Sequence, residues 1–391
     1  MMRPFSVNGN FQQLAFVRKM ASKSYQKRVE ELLAKADIVV DGTRPWDISV
    51  HNDNLFRRLL AHGSLGLGES YMDGWWDCER IDQFICRLLK AGIDRQVRTL
   101  GTGLWALKAR LANLQTPERS FQVGERHYDI GNDLYASMLD SRMIYSCGYW
   151  KEADNLDAAQ ERKLDLICRK LHLNAGQRLL DIGCGWGGMA RFAAERYGVE
   201  VVGVTVSREQ VKMAQQKCLG LPVEIRLQDY RGLNEPFDRI LSIGMFEHVG
   251  YKNYRTFMSV ADRCLKEDGL FLLHTIGGSR SVTTNDPWLE CYIFPNGMIP
   301  SAVQITSAIE RHFILEDWHN FGPDYDTTLM AWWRNFEDSW PTLASRYGER
   351  FYRMWRYYLL CCAGAFRSRT NHLWQIVLGK TGARECYRSI R

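Results

Sequence analysis

The chain predicts an α/β fold, a mostly parallel sheet flanked by helices, preceded by a small, mostly helical N-terminal region. Three observations carry that prediction. From residue 127 onward, short apolar runs alternate with helical stripes. One run, Leu179-Leu-Asp-Ile-Gly-Cys-Gly-Trp-Gly-Gly188, passes from an apolar strand through an acidic residue into a glycine-rich elbow. The residues able to do chemistry cluster at the carboxyl ends of the predicted strands, where open α/β sheets bind ligands.

The elements follow in order. Residues 24–35 place Tyr25, Val29, Leu32 and Leu33 on one helical face, a β-type stretch Ile38–Val40 ends at Asp41-Gly42, and 53–62 reads as a short helix. Gly63 to Trp76 is punctuated by glycine and shows no regular period, and helical residues return from about Arg80 to Ala91. Periodicity fades and charge rises over 92–125. This divides the chain into an N-terminal region 1–105, a linker 106–126 and an α/β domain 127–391. In the last, Leu164, Ile167, Cys168 and Leu171 stripe a helix that leads into a strand at Arg178–Ile182. Met189–Tyr197 is the next helix, Val199–Thr205 a strand, and Ser207–Cys218 an amphipathic helix with a serine cap. Strands follow at Val223–Leu227, Phe237–Ile243 and Gly269–Ile276.

Composition bounds the function. With 46% apolar and 25% charged residues in 391, the chain is that of a globular protein of about two domains. No stretch approaches the ~20 apolar residues of a membrane span, and Met-Met-Arg-Pro-Phe lacks the apolar core of a signal peptide. Eleven cysteines without a Cys-x-x-Cys pair argue against disulfide frameworks and metal sites, and fit a reduced cytoplasm. The net charge of +6 is uneven: Arg346 to Arg391 holds ten Arg or Lys against two Glu, and 18–35 and 87–119 are also basic. Such faces are either simply solvated or adsorb to an anionic surface. No nucleic-acid-binding motif appears, so lipid headgroups are the better candidate than nucleic acid.

Gly183 and Gly185 leave room for a ligand against the backbone at a helix N-terminus. Gly183-x-Gly185-x-x-Gly188 also fits a dinucleotide fingerprint, and one glycine alone is an ordinary turn. Asp181 shifts the balance, because an acidic strand tip suits the cationic amino-acid end of S-adenosylmethionine (SAM) rather than a pyrophosphate. The second strand ends in Thr205 where an acidic residue would hold the ribose, leaving Gln210 or Glu209 for that task. Gln228-Asp229-Tyr230 follows the third strand, Met245-Phe-Glu247-His248 the fourth, and His274-Thr-Ile276 ends the fifth.

These segments resemble the cyclopropane synthase family. The resemblance is carried by Gly124-x-x-His127-Tyr-Asp-x-Gly-Asn132, Tyr145-Ser-Cys147-x-Tyr-Trp150, the elbow just described and Gly244-Met-Phe-Glu-His-Val-Gly250. Phe271-Leu-Leu-His274-Thr-Ile276, Tyr292-Ile-Phe-Pro-Asn-Gly297 and Asp317-Trp-His-Asn-Phe-Gly322 complete it. It spans about Tyr25 to Val377, and Gly-Glu-Ser-Tyr-Met-Asp-Gly-Trp-Trp76 is similar to the phospholipid-modifying members. It implies a Rossmann-like class I SAM-dependent methyltransferase domain with a seven-stranded sheet, an N-terminal lipid-binding domain, and an acyl pocket built from insertions around 277–345 and the C-terminal helices. It implies a homodimer, cytoplasmic and peripheral at the inner face of the membrane, with Trp75 or Trp76 free to insert. The substrate implied is an unsaturated acyl chain of a membrane phospholipid.

Methylene transfer sets a demanding site. A carbon–carbon double bond attacks the sulfonium methyl, a carbocation on the acyl chain results, and a proton must leave the new methyl before the ring closes. Positioning, cation-stabilising aromatic faces, a base and exclusion of water are required. Tyr145, Tyr149, Trp150, Phe246, Tyr292, Phe294, Phe321 and Tyr325 supply aromatic faces, although each singly could serve only to pack the core. The resemblance puts Tyr145, Ser146, Asp181, Gly183, Gly185, Thr205, Gln210, Gln228, Asp229 and Tyr230 around SAM. It implies bicarbonate as the base, held by Cys147, Glu247, His274, Tyr325 and the backbone of Ile276, with Glu247 accepting the anion's O–H. Otherwise Glu247 is a helix-start carboxylate and His274 a core histidine; His248 packs against or orients Glu247. The resemblance also marks Cys362, which a buried apolar helix would make a small hydrophobe. The competing activities are plain C- or N-methylation of another substrate, and lipid binding by a chain whose catalytic half has decayed.

Overall fold

The structure, a computed structural model, describes residues 23–96, 131–382 and 386–391. The linker 106–126 and the motif residues Gly124 to Asp129 lie outside the described residues. Strands β1 (Ser49–Val50) and β2 (Trp76–Asp77) pair in the N-terminal region. The main sheet holds β3 (Arg178–Ile182), β4 (Glu200–Thr205), β5 (Val223–Leu227), β6 (Phe237–Ile243), β7 (Leu265–Gly278), β8 (Phe313–Asn320) and β9 (Asn371–Lys380).

The seven strands lie in the order β5-β4-β3-β6-β7-β9-β8. The first five are mutually parallel, and β9 runs antiparallel to both neighbours. The chain reverses direction across the sheet between β3 and β6, which opens a crevice at the carboxyl ends of β3, β4 and β6. β3 is buried over Leu179–Ile182, as a strand covered by helices on both faces must be. Helix 208–217 starts at the expected cap, Ser207, whose hydroxyl accepts from the Gln210 amide at 3.3 Å.

Three parts of the chain differ from the sequence expectation. Gly63 to Trp76 is not irregular: Ser64–Met72 is helical. Six of its nine residues are buried, so neighbours on several sides erase the one-sided period that marks a surface helix. Its glycines allow that packing, since a Cβ at Gly66 would lie 2.4 Å from Arg58 O and one at Gly68 2.4 Å from the Trp288 ring. Part of the region read as insertions returns to the sheet as β8, whose alternation is broken by an irregularity between Leu315 and Asp317. Finally, Ile38–Val40 contributes only an isolated bridge between Val40 and Ile48.

The described N-terminal residues share one apolar cluster with the C-terminal helices. Helix Glu349–Arg367 presses Tyr357 against Tyr71 at 5.4 Å and Trp76 at 6.3 Å. Gly364 lets the backbones touch there, because a Cβ at that position would sit 2.6 Å from Asp82 O. Trp76 is fully buried and Trp75 lies under the Arg58 guanidinium at 4.9 Å, so Trp76 does not serve as an interfacial anchor.

The basic C-terminus is engaged rather than presented. Arg346 pairs with Asp133, Arg350 with Asp73, Arg353 with Asp77, Lys380 with Glu267, Arg391 with Asp317, and Arg367 with Asp82 and Asp326. Arg356 binds the Tyr71 hydroxyl. The charge asymmetry between Arg346 and Arg391 therefore chiefly holds segments of the chain together. Arg353 donates to Tyr71 O, to Trp76 O at 2.8 Å and to Asp77 at 2.7 Å. Arg353→Ala is expected to cost about 2 kcal/mol, because two carbonyls lose their partner. Denaturant melts check the loss, and an unchanged midpoint would return this arginine to the solvent-facing class.

Candidate active site

The carboxyl end of the sheet frames a cleft. Tyr145, Ser146, Asp181, Gly183, Gly185, Thr205, Gln210, Gln228, Asp229 and Tyr230 all line it. Asp181 ends β3 with 1% exposure, one of its oxygens has no partner, and burial pushes its carboxyl up to about 7. Gly185 has φ +54° with nothing within 4 Å of a Cβ built there, so a side chain at this position would point into open space. Trp186, next in the elbow, is pinned by its indole N–H to Asn132 Oδ1 at 3.1 Å.

Of the two residues considered for the ribose, Gln210 is the one at the cleft. Gln210 is buried and faces the cleft, and its Oε1 accepts from the Thr205 hydroxyl at 2.7 Å, leaving its NH2 as the donor for a ligand. Glu209 is exposed and outside the cleft wall. Asp229 lines the wall with its carboxylate engaged by Arg231, by the amide at 2.9 Å and the guanidinium at 3.2 Å.

Beyond Tyr145 lies a cluster of aromatic side chains. The Tyr145 hydroxyl meets the Tyr358 hydroxyl at 2.7 Å, and Tyr358 stands in electrostatic reach of Tyr325 and Cys362. Phe294 packs edge-on to Tyr358 at 5.6 Å, and Tyr325 lies on Phe366 at 4.6 Å. Tyr145 thus lines the cleft and packs into this aromatic cluster. Tyr358, on helix 349–367, was not found by sequence reading; only its spacing of four residues before Cys362 could have pointed to it.

Glu247 lies in the short 3-10 turn Phe246–His248 that follows β6, and His274 lies within the adjacent strand β7, opposite Ile243. Glu247 Oε1 accepts from the Ile276 amide at 2.7 Å, while its Oε2 is buried without a partner. The Ile276 N–H is thus directed at Glu247 rather than left open for an anion. Burial pushes the Glu247 carboxyl up to about 7. His274 is 1% exposed, and burial, with Lys163 and Lys170 nearby, holds its pKa well below the usual imidazole value. Gln375 Nε2 donates to His274 Nδ1 at 3.3 Å, which places the ring hydrogen on Nε2, itself buried and without a partner. His248 lines the cleft, 5.9 Å from the Phe294 ring, and burial lowers it to about 4.

Cys147 is fully buried, with Sγ 3.0 Å from Gly148 O and 3.9 Å from the Thr328 hydroxyl. Thr328 also receives the Gly148 amide and the Trp150 indole, so one hydroxyl ties together the Cys147–Trp150 part of this turn. Cys362 is partly buried, and burial pushes its thiol up to about 12. No helix among the described residues is long and apolar enough to cross a membrane.

Comparison with known proteins places this geometry. Residues 115–376 match the family model described as mycolic acid cyclopropane synthetase. The cyclopropane-fatty-acyl-phospholipid synthase of Escherichia coli (strain K12) is 56% identical over 358 residues, covering 91% of this chain and 94% of that protein. The cyclopropane synthase MmaA2 of Mycobacterium tuberculosis superimposes with a TM-score of 0.63 at 32% identity, over 69% of this chain and all of that one. Mycolic acid cyclopropane synthase CmaA1, solved with SAH (S-adenosylhomocysteine) and CTAB, gives the same TM-score and identity over 66% of this chain and 98% of its own. The chain therefore belongs to the cyclopropane synthase family and is an enzyme with a class I SAM-dependent methyltransferase fold.

Proposed function

We propose that the enzyme transfers a methylene group from SAM to the cis double bond of unsaturated acyl chains in membrane phospholipids, forming cyclopropane acyl chains. The observation that carries this reading is the position of Tyr145, which lines the cleft and joins it to a cluster of aromatic side chains. The orphan oxygen of Asp181 and the open approach at Gly185 fit the donor. The double-bond electrons form a bond to the methyl carbon as the carbon–sulfur bond breaks, releasing SAH. The resulting carbocation on the acyl chain faces tyrosine and phenylalanine rings that stabilise it without reacting. Loss of a proton from the new methyl then closes the ring.

Bicarbonate is our reading for the base, and when bound it would supply the proton acceptor. The donor set suits such an anion: Glu247 Oε2 accepts its O–H and His274 Nε2–H donates to an oxygen, both being buried atoms without partners. Cys147 and Tyr325 would complete its surroundings. Neutral His274 donates a hydrogen bond without itself consuming the proton. The N-terminal region 1–105 is read as a lipid-docking unit on a protein peripheral to the membrane, in a homodimer. Its helix 64–72 supports that role by seating helix 287–292 through Trp288 and through the Tyr292–Glu69 hydrogen bond at 2.9 Å, just before Phe294.

Incubation with SAM and vesicles of unsaturated phospholipid, followed by acyl-chain mass analysis, tests the activity. Gain of one CH2 with loss of the double bond is expected; gain with the double bond retained would make the enzyme a simple methyltransferase. Rigorously decarbonated enzyme is expected to slow and to recover on adding bicarbonate. Full activity without carbonate, and with no anion carried through purification, would overturn that part.

A further inference from the structure

We propose that Lys163 is the cation that receives the carboxylate of the methionyl end of SAM, opposite Asp181, which receives its ammonium. The inference deepens the SAM reading and rests on it. Lys163 lies on helix Leu156–Lys170 with no exposed surface, yet its side chain forms part of the cleft wall together with Ser146 and Asp181. Its ammonium carries three N–H donors, and one bond is made, to Ser146 Oγ at 2.9 Å.

A buried charge with so few partners is costly unless a ligand completes it. Holding the loop does not require this cation. Gln160, three residues earlier on the same helix, already fastens it through Ile144 O at 3.3 Å and Ser146 O at 2.8 Å. Asp140 holds the same loop through the amides of Arg142 and Ile144, both at 2.9 Å.

The charges match an α-amino acid. One end of the cleft carries a buried carboxylate with an orphan oxygen and a buried ammonium, which act on each other electrostatically, with Asp140 also near Lys163, while the orphan oxygen of Asp181 receives no hydrogen bond from it. A zwitterion supplies the opposite charge to each. The other end, at the tips of β4 and β5, carries Thr205, Gln210 and Gln228 together with an Asp229 carboxylate already paired with Arg231, a set suited to a nucleoside. Burial lowers Lys163 to about 8, which keeps most of it protonated at neutral pH.

The test compares SAH with its decarboxylated analogue by calorimetry on the full chain. Native enzyme is expected to favour SAH by about 10- to 100-fold. Lys163→Met should lose that factor for SAH and keep its affinity for the analogue, bringing the ratio close to one. Equal weakening toward both ligands would show a structural strut and overturn the proposal. So would a native enzyme that binds both ligands equally, a comparison that stands even if the variant does not fold. Native enzyme binding neither ligand would instead overturn the SAM reading, and this proposal with it.

Discussion

Glu247→Gln is expected to lower turnover by about 10²- to 10⁴-fold while leaving SAH affinity unchanged. The amide keeps the shape and can still accept from the Ile276 N–H, but its other end presents NH2 where the carboxylate presents an acceptor. The proton inventory gives the pH dependence. Burial raises this carboxyl to about 7, and only the ionised form can accept the anion's O–H, so kcat/KM should fall as pH drops below about 7. In the glutamine variant that acid limb should disappear from the residual rate.

Stability should move the other way. The folded-state pKa lies above the unfolded one, so the contribution of this group is present below the unfolded pKa and lost as pH rises through about 7. At pH 8 the glutamine variant is therefore expected to melt no lower than the native enzyme. Unchanged turnover, or a loss of SAH binding in place of turnover, would remove Glu247 from the base site.

Gly185→Val should reduce SAH affinity by at least about 100-fold, because its side chain would enter the cleft at a position with φ +54° and no neighbour within 4 Å. The fold should tolerate it at a cost of about 1–2 kcal/mol for the left-handed backbone. Gly183 offers the control. Its φ is +89° and a Cβ there would lie 2.7 Å from Met245 Cβ, so Gly183→Ala should lower the melting temperature as well as binding. Calorimetry and thermal melts on both variants separate the two effects. Native-like SAH affinity in Gly185→Val would move the donor away from this elbow.

The parallel half of the sheet was legible because its signals are local. β3 is mostly apolar, β5 alternates apolar and charged residues, and β6 mixes polar residues into an apolar stretch, each ended by glycine or a polar turn, and the structure places them at the expected residues. The motifs at their tips meet in one cleft because parallel strands bring every carboxyl end to the same edge. β9 was not legible, since a polar Gln375 interrupts its apolar run and its meaning appears only opposite His274.

Only the tertiary structure decided how the ends of the chain are used. Basic composition after Arg346 suggested an adsorbing surface, but whether a guanidinium faces solvent or a carboxylate hundreds of residues away depends on which helices pack together. The same holds for Trp76 and Tyr358, whose types are unremarkable in sequence and whose surroundings come from Tyr357 and Tyr145, each more than two hundred residues away. Residue type and period determine strands, turns and the chemistry each motif can offer. Burial, orphan atoms and charge pairing are properties of contacts between distant segments, and those exist only once the sheet and its helices have closed around the cleft.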